Sequence, residues 1–248
     1  MHRIFIPPDA VVGRHIAITD PQALHHLLTV LRLKSGELLE CVVEGTAIYR
    51  GTIAAATRHQ LLLDIHAKST ASAPALSVTI AAALLPADRF EWMLQKATEL
   101  GAAEIVPLIT ERTIVRLASR DEERKRLRWQ RIMKEAAQQC GQMHVPLLKA
   151  VVTLPKLLQR AADYSHCVIP TLEAQQRVPL RQPLQQVREG DRVLALIGPE
   201  GDFTPKEVAA AAAAGAVAVS LGPRVLRSET AALAVLAILH YDVGGWNA

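Results

Sequence analysis

The chain has 248 residues, half of them hydrophobic and 21% charged, a globular composition that excludes a disordered or collagen-like chain. The net charge of +4 favours a polyanionic partner. The three cysteines, Cys41, Cys140 and Cys167, have neither metal-ligand spacing nor even pairing. They read as reduced thiols of a cytoplasmic protein, and no metal site is expected. RIFIPPDA is too short for a leader and is broken by Pro7 and Pro8. Ala231 to Leu239, the most apolar stretch, is too short to span a bilayer, so no membrane partner is expected.

Residues 3 to 67 read mainly as short strands. RIFI and HIAI come first. Asp20 then caps a helix with Pro21 in its first position and a stripe of Leu24, Leu27, Leu28 and Leu31. ELLECVV, Glu44-Gly45 and TAIYRGTIAAAT form a hairpin, and QLLLDIHA adds a further strand. Several short strands with one helix suggest a small β-barrel. Arg3, Arg14, His25, His26 and Arg32 are candidates for a basic face. His25 and His26 are adjacent helical residues and do not share a face, which predicts one solvated and one partly packed imidazole rather than a metal pair. KSTASAPA, residues 68 to 75, reads as a linker.

SVTIAAALL, from Ser77, is a near-continuous apolar run and predicts a buried strand. Asp88 and Glu91 make a D-x-x-E helix start. Phe90, Met93, Leu94, Ala97 and Leu100 form the stripe, and Gly101 ends it. EIVPLI is the next strand, so strand, helix and strand suggest a right-handed parallel crossover. The most basic stretch follows, from Arg112 to Lys134. Ser119 and Glu122 suit a capping box for a long helix. Arg120, Arg124, Arg128 and Arg131 fall on one side of it, while Trp129, Ile132, Met133, Ala136 and Cys140 supply the apolar side. A solvated face partly neutralised by Asp121, Glu122 and Glu123 and a face that contacts phosphates both fit this pattern.

SHCVIPTLEA, from Ser165, predicts a strand ending in a turn. RVLALI then runs into GPEGDFTPKE. Thr204 as N-cap, Pro205 in the first position and Glu207 complete a T-x-x-E capping box. An alanine run closes at Gly215. VAVSL leads to a second loop, LGPRVLRSET, and then to a final helix from Ser228. Two strand-ends each feed a Gly/Pro loop, and ligands of open α/β sheets sit outside such carboxyl ends. A tight turn without a ligand would explain GPEG alone. The second loop, one β-α unit later, favours a ligand site. Neither loop carries a GxGxxG fingerprint or a P-loop Lys, which argues against dinucleotide or ATP binding.

IGPEGDFTPKE and SLGPRVLRSETAA resemble the RsmE family of 16S ribosomal RNA (uridine-N3)-methyltransferases, of the SPOUT class. The resemblance extends to QKATELGAAEIVPLITERT, to RWQRIMKEAAQQC and to the MHRIF start. Asp202 departs from it, standing where the family usually has a second Gly after GPEG. Gln142 departs too, where an Arg is common. The resemblance implies an α/β fold: a SPOUT-type knotted methyltransferase domain over 76–248, ending in a trefoil knot, preceded by a small PUA-like RNA-binding β-barrel over 1–70. It also implies S-adenosylmethionine as cofactor, 16S rRNA of the small ribosomal subunit as partner, uridine 1498 in standard bacterial numbering as target, and a homodimer.

On this reading the cofactor-binding candidates are Leu172, Leu196, Ile197, Gly198, Pro199, Glu200, Gly201, Leu221, Gly222, Val225, Leu226 and Arg227. The catalytic candidates are Arg227, Arg224 and Glu229. A guanidinium suits the anion that develops on uracil, while Glu200 and Glu229 are the nearby carboxylates suited to taking the leaving proton or fixing an arginine, and the resemblance does not choose between them. A carboxylate in the first turn of a helix also favours the positive dipole end, so a structural role for Glu229 stays open. The RNA-binding candidates are Arg3, Arg14, Arg32, Arg120, Arg124, Arg128 and Arg131. Two alternatives are the same fold acting on another RNA nucleotide and a catalytically silent ribosome-assembly protein.

Overall fold

The structure, a computed structural model, describes residues 1–70, 75–115, 119–174 and 176–243, with the side chains of Ser119 and Arg120 outside the description. The chain divides into two compact units, Met1–Ala73 with Ala137–Val145, and Pro74–Ala136 with Pro146–Ala248.

The first unit holds β1 (His2–Ile6), β2 (Val11–Val12), β3 (His15–Ile18), β4 (Leu38–Val43), β5 (Ala47–Ala56) and β6 (Leu61–Thr70). They form a half-barrel sheet in the order β1-β4-β5-β6-β3-β2. Only β1 and β4 pair in parallel. Alternate residues face inward, as period-2 patterning requires: Ile4 and Ile6, Ile16 and Ile18, Leu39 and Cys41, and Leu61 and Leu63 are all buried. The hairpin turns at Glu44-Gly45, with Gly45 at φ +65°. Helix α1 (Pro21–Leu24) opens as expected, the Asp20 carboxylate accepting from the Ala23 N–H at 2.7 Å. It then widens into a π-helical turn over His25–Val30. His25 is exposed and His26 half-buried.

The expected linker starts later than residue 68, because β6 continues to Thr70; residues 71–74 lie outside the described ones. Ala137–Val145, far along the chain, belongs to this first unit. Val145 N–H donates to Glu44 Oε1 at 2.8 Å, and Gly45 N–H donates to the Met143 carbonyl at 3.3 Å. The Arg3 guanidinium donates to the Gly141 carbonyl and, at 2.7 and 2.9 Å, to Glu40. Arg3 is therefore corrected from the basic face to the interior: its side chain is only 14% exposed and its donors are engaged. Burial pushes the Glu40 carboxyl up, but the hydrogen bonds from Arg50 and Arg3 outweigh it and hold the group below its ordinary value.

The second unit is a parallel β/α sheet. Its strands are β7 (Ser77–Ala83), β8 (Glu104–Ile109), β9 (Leu147–Leu148), β10 (Val152–Thr153), β11 (His166–Pro170), β12 (Val178–Pro179), β13 (Arg192–Ile197) and β14 (Val217–Ser220). The order is β10-β8-β7-β13-β11-β14-β12, with β9 also on β8. Every pairing is parallel, so both faces need helices and the central strands are mainly apolar. The helices are α2 (Ala87–Glu99), α3 (Ser119–Cys140), α4 (Leu154–Leu158), α5 (Arg181–Leu184), α6 (Pro205–Ala213) and α7 (Ser228–Asp242).

In α2 the expected stripe is buried at Phe90, Met93, Leu94 and Ala97, and Phe90 packs on Trp129 of α3 with ring centroids 4.8 Å apart. The D-x-x-E start is corrected. Pro86 is the N-cap and makes no side-chain cap, while Glu91 turns to Arg128 instead. On α3, Trp129, Met133 and Ala136 are buried, but Cys140 is exposed. Burial pushes the thiols of Cys41 and Cys167 up to about 12, so neither is a nucleophile at neutral pH. No helix among the described residues is long and apolar enough to cross a membrane.

Candidate active site

Three neighbouring strands deliver the site. β11 pairs with β13 on one side and β14 on the other, so the loops after β13 and β14 flank the loop after β11. All three loops leave the carboxyl ends of parallel strands, where an open α/β sheet presents its ligand crevice.

The loop after β13 is tightly built. Glu207 N–H donates to Thr204 Oγ1 at 3.3 Å and Thr204 N–H donates to Glu207 Oε2 at 2.9 Å, the capping box the sequence predicts, with Pro205 opening α6. Phe203 is fully buried under the loop, which stabilises it by about 1.5–3 kcal/mol. Gly198 lies against that ring. A Cβ there would come within 3.1 Å of Phe203 and 3.3 Å of Asp202 Oδ1. A side chain at this position would press on the packing inside the loop.

Asp202 has φ +60°, in the left-handed region that normally favours Gly. Its carboxylate staples two loops. Oδ1 accepts from the Phe203 N–H at 2.7 Å, and Oδ2 accepts from Thr171 Oγ1 at 2.9 Å and the Leu172 N–H at 2.6 Å. Arg112, in the turn after β8, adds a second clasp. Its Nη1 donates to the Gly201 carbonyl at 2.6 Å, the Phe203 carbonyl at 3.3 Å and Glu173 Oε1 at 2.8 Å. Glu200, 39% exposed at its side chain, pairs with Arg89 at 3.1 Å rather than with Arg227.

The loop after β14 has little internal support. Gly222, at φ +110°, donates its N–H to Ser220 Oγ at 3.2 Å. A Cβ on Gly222 would meet nothing within 4 Å, so a ligand can lie directly against this backbone. Arg224 and Val225 are exposed. Arg227 is the N-cap residue of α7 in extended conformation, and Ser228 begins the helix rather than capping it. Among the described residues no carboxylate pairs with Arg224 or Arg227.

One cleft gathers most of the expected cofactor residues: Leu172, Ile197, Gly198, Pro199, Glu200, Leu221, Gly222, Val225, Leu226 and Arg227, together with Arg224. Two expected members are corrected. Leu196 is fully buried in the sheet core, and Gly201 turns its carbonyl to Arg112 instead of lining the cleft. Glu229 lies in a neighbouring groove, which shares Val225, Leu226 and Arg227 with the cleft.

Sequence reading missed Thr171, Arg177 and Asp202 as cleft residues, and Arg112 behind them. Arg177 lines the cleft and donates to the Thr171 carbonyl at 3.1 Å. The signal available was Asp202 itself, a non-Gly residue in a Gly-rich turn. The site has exposed loop backbone for reading a nucleobase edge, apolar walls from Leu172, Val225 and Leu226, and unpaired guanidiniums. That fits a nucleoside-bearing cofactor. Among the described residues no group of three or more side chains suits a metal ion.

The expected RNA-binding arginines are mostly at the surface. Arg14 and Arg32 are exposed, Arg32 at φ +56°. On α3, Arg124 pairs with Asp121 at 2.9 Å, and Arg131 lies 3.8 Å from Glu135. Arg128 holds Glu91 with both prongs, at 2.5 and 2.7 Å. The side chain of Arg120 lies outside the described residues.

Parallel strands, loop-built crevice and unpaired arginines define an α/β enzyme of the SPOUT methyltransferase type, accompanied by a PUA-type β unit. The chain belongs to the family of RNA methyltransferase domains, whose model matches residues 72–240, and the RNA methyltransferase PUA domain matches residues 18–65. It is 31% identical over 225 residues to the ribosomal RNA small subunit methyltransferase E of Bacillus subtilis, covering 89% of this chain and 88% of that one. A structure from Legionella pneumophila, described as a methyltransferase with bound SAM, superposes with a TM-score of 0.85 at 31% identity over 96% of each chain. The ribosomal RNA small subunit methyltransferase E of Neisseria gonorrhoeae, bound to S-adenosyl methionine, does so with a TM-score of 0.83 at 27% identity over 97% of each.

Proposed function

We propose that this chain is a cytoplasmic, S-adenosylmethionine-dependent methyltransferase that methylates N3 of one uridine in 16S rRNA of the small ribosomal subunit. The observation that carries this reading is the cleft made by three loops at adjacent strand ends, with Arg224 and Arg227 on its rim free of carboxylate partners among the described residues. Relatives over nearly the full length are named for small-subunit ribosomal RNA, and two neighbours hold the cofactor. We further infer a homodimer, a trefoil knot within residues 76–248, and RNA contacts from Arg14 and Arg32 in the first unit and from Arg124 and Arg131 on α3.

When bound, the cofactor supplies an electrophilic methyl group on a sulfonium. The protein's part is position and charge. The loop after β13 and Leu172 would hold the nucleoside end, and the backbone at Gly222 is open to a ligand. Uridine N3 sits on the Watson–Crick edge, so the base must be unpaired or flipped. Arg227 donates to a uracil oxygen as negative charge develops there. Rate comes mainly from holding N3 and the methyl carbon in line.

The test is methyl transfer to small ribosomal subunits from cells that lack this protein, followed by mass mapping of the RNA. One new methyl on a uridine base is expected. Cofactor binding without transfer, or a methyl on another nucleotide, would refute the assignment.

A further inference from the structure

The residues Val225, Leu226 and Arg227 line the cleft and also a second groove, whose opposite wall is the start of α2. Two residues of that groove differ from their surroundings. Trp92 is 46% exposed, although the neighbouring aromatic of the same helix, Phe90, is 1% exposed in the core. Glu229 is only 7% exposed, and its Oε2 is buried with no hydrogen-bond partner among the described residues. An orphaned buried carboxylate oxygen is costly and calls for a donor that folding itself does not supply. The positive end of α7 offsets part of that cost without satisfying the oxygen.

We propose that this groove is the pocket for the flipped acceptor base, with Trp92 stacking on the uracil and Glu229 taking the N3 proton. The proposal rests on the reaction given under Proposed function and locates its substrate. A single-stranded base offers a π-face to an indole and its Watson–Crick edge to polar groups. Uracil N3–H is a donor for the Glu229 carboxylate, whose Oε2 is closed to solvent until the groove takes up the base. The groove shares Val225, Leu226 and Arg227 with the cleft, so its occupant lies next to the proposed cofactor site. Arg227 is common to both and faces the developing charge. Arg89 is held by Glu200 and frames the groove.

The step balances within these groups. The N3–H proton passes to the Glu229 carboxylate. The N3 electron pair forms the bond to the methyl carbon, the carbon–sulfur bond breaks, and its pair stays on sulfur as a neutral thioether. Glu229 then returns the proton to solvent.

The groove mixes Asp88, Arg89 and Arg227 with its aromatic, which suits a base and phosphate better than an apolar helix. A second copy of the chain covering Trp92 is the competing occupant.

The test uses the full chain with cofactor present. Uridine monophosphate should quench tryptophan fluorescence in the parent protein, and Trp92→Ala should abolish the quenching. Against subunits lacking the methyl group, Trp92→Ala should raise KM at least about tenfold, with cofactor affinity and sedimentation unchanged. Trp92→Phe should recover most of the loss. Glu229→Gln should keep both binding events and lower kcat by about a hundredfold. Parent rates in both variants would overturn the pocket. So would a Trp92→Ala protein with a changed oligomeric state and intact quenching, which would assign the face to a second copy. A parent protein that binds uridine monophosphate but transfers no methyl group would support the pocket and refute the proposed reaction instead.

Discussion

The loop after β13 is held at each turn: Asp202 fastens it to the loop after β11, Arg112 clasps two of its carbonyls, and a capping box fixes its exit into α6. The loop after β14, on the other side of β11, has a hydrogen bond from Gly222 to Ser220 and two arginines without carboxylate partners among the described residues. Both are Gly/Pro turns at parallel strand ends, yet one is pre-formed and the other is left to its ligands. On the function proposed above, the difference would separate two tasks. A fixed wall recognises a cofactor at low entropic cost, while open cationic groups meet charge that appears only during reaction.

Arg227→Ala should break the open wall with the largest effect. Single-turnover methyl transfer at saturating RNA and cofactor should fall by about a hundredfold or more. Melting temperature should not move, because the side chain has no carboxylate partner to lose. A structural arginine would instead lose stability and cofactor affinity together.

Arg112→Ala attacks the fixed wall. It removes the donor to Gly201, Phe203 and Glu173 at once and should weaken cofactor binding by roughly tenfold in a titration. Turnover at saturating cofactor should change much less.

Asp202 allows strain and staple to be read apart. Asp202→Ala keeps a side chain at φ +60° and loses the carboxylate, whereas Asp202→Gly loses the carboxylate and relieves the backbone. The Ala variant should be less stable than the Gly variant by about 1 kcal/mol in denaturant titrations. Both should lose cofactor affinity alike, by a few-fold. A Gly variant with parent affinity would show the staple to be dispensable.

The smallest effects belong to α3. Arg124→Gln and Arg131→Gln should each reduce the log–log salt slope of RNA binding by about 0.7–0.9. Arg128→Gln should change it less, because Glu91 already occupies both prongs.

Local chemistry was legible in the sequence. The capping box at Thr204, the helix stop at Gly215, the run Arg192 to Ile197 and the start at Asp20 and Pro21 each depend on residues a few positions apart, and each stands where the pattern puts it. What failed to show were partners brought together by the sheet. Arg112 meets Gly201 across 89 positions and Arg3 meets Gly141 across 138, and nothing near either arginine announces the acceptor. The same blindness placed Glu91 in a cap and Arg3 on a surface. Ala137–Val145 joined the first unit for that reason too, by bonds from Val145 and Gly45 that no local pattern encodes. In the cleft, Gly/Pro spacing marked two loops at neighbouring strand ends, and the individual residues came from the family resemblance. Leu196 was not legible as core, because a strand buried on both faces gives no period that tells cleft from core.

The division of labour between the two walls is tested most directly by calorimetric titration of S-adenosylmethionine into the parent protein, Arg112→Ala and Arg227→Ala under one set of conditions. The account predicts binding to the parent, clearly weaker binding to Arg112→Ala and near-parent binding to Arg227→Ala. Parent affinity in Arg112→Ala together with lost binding in Arg227→Ala would contradict it.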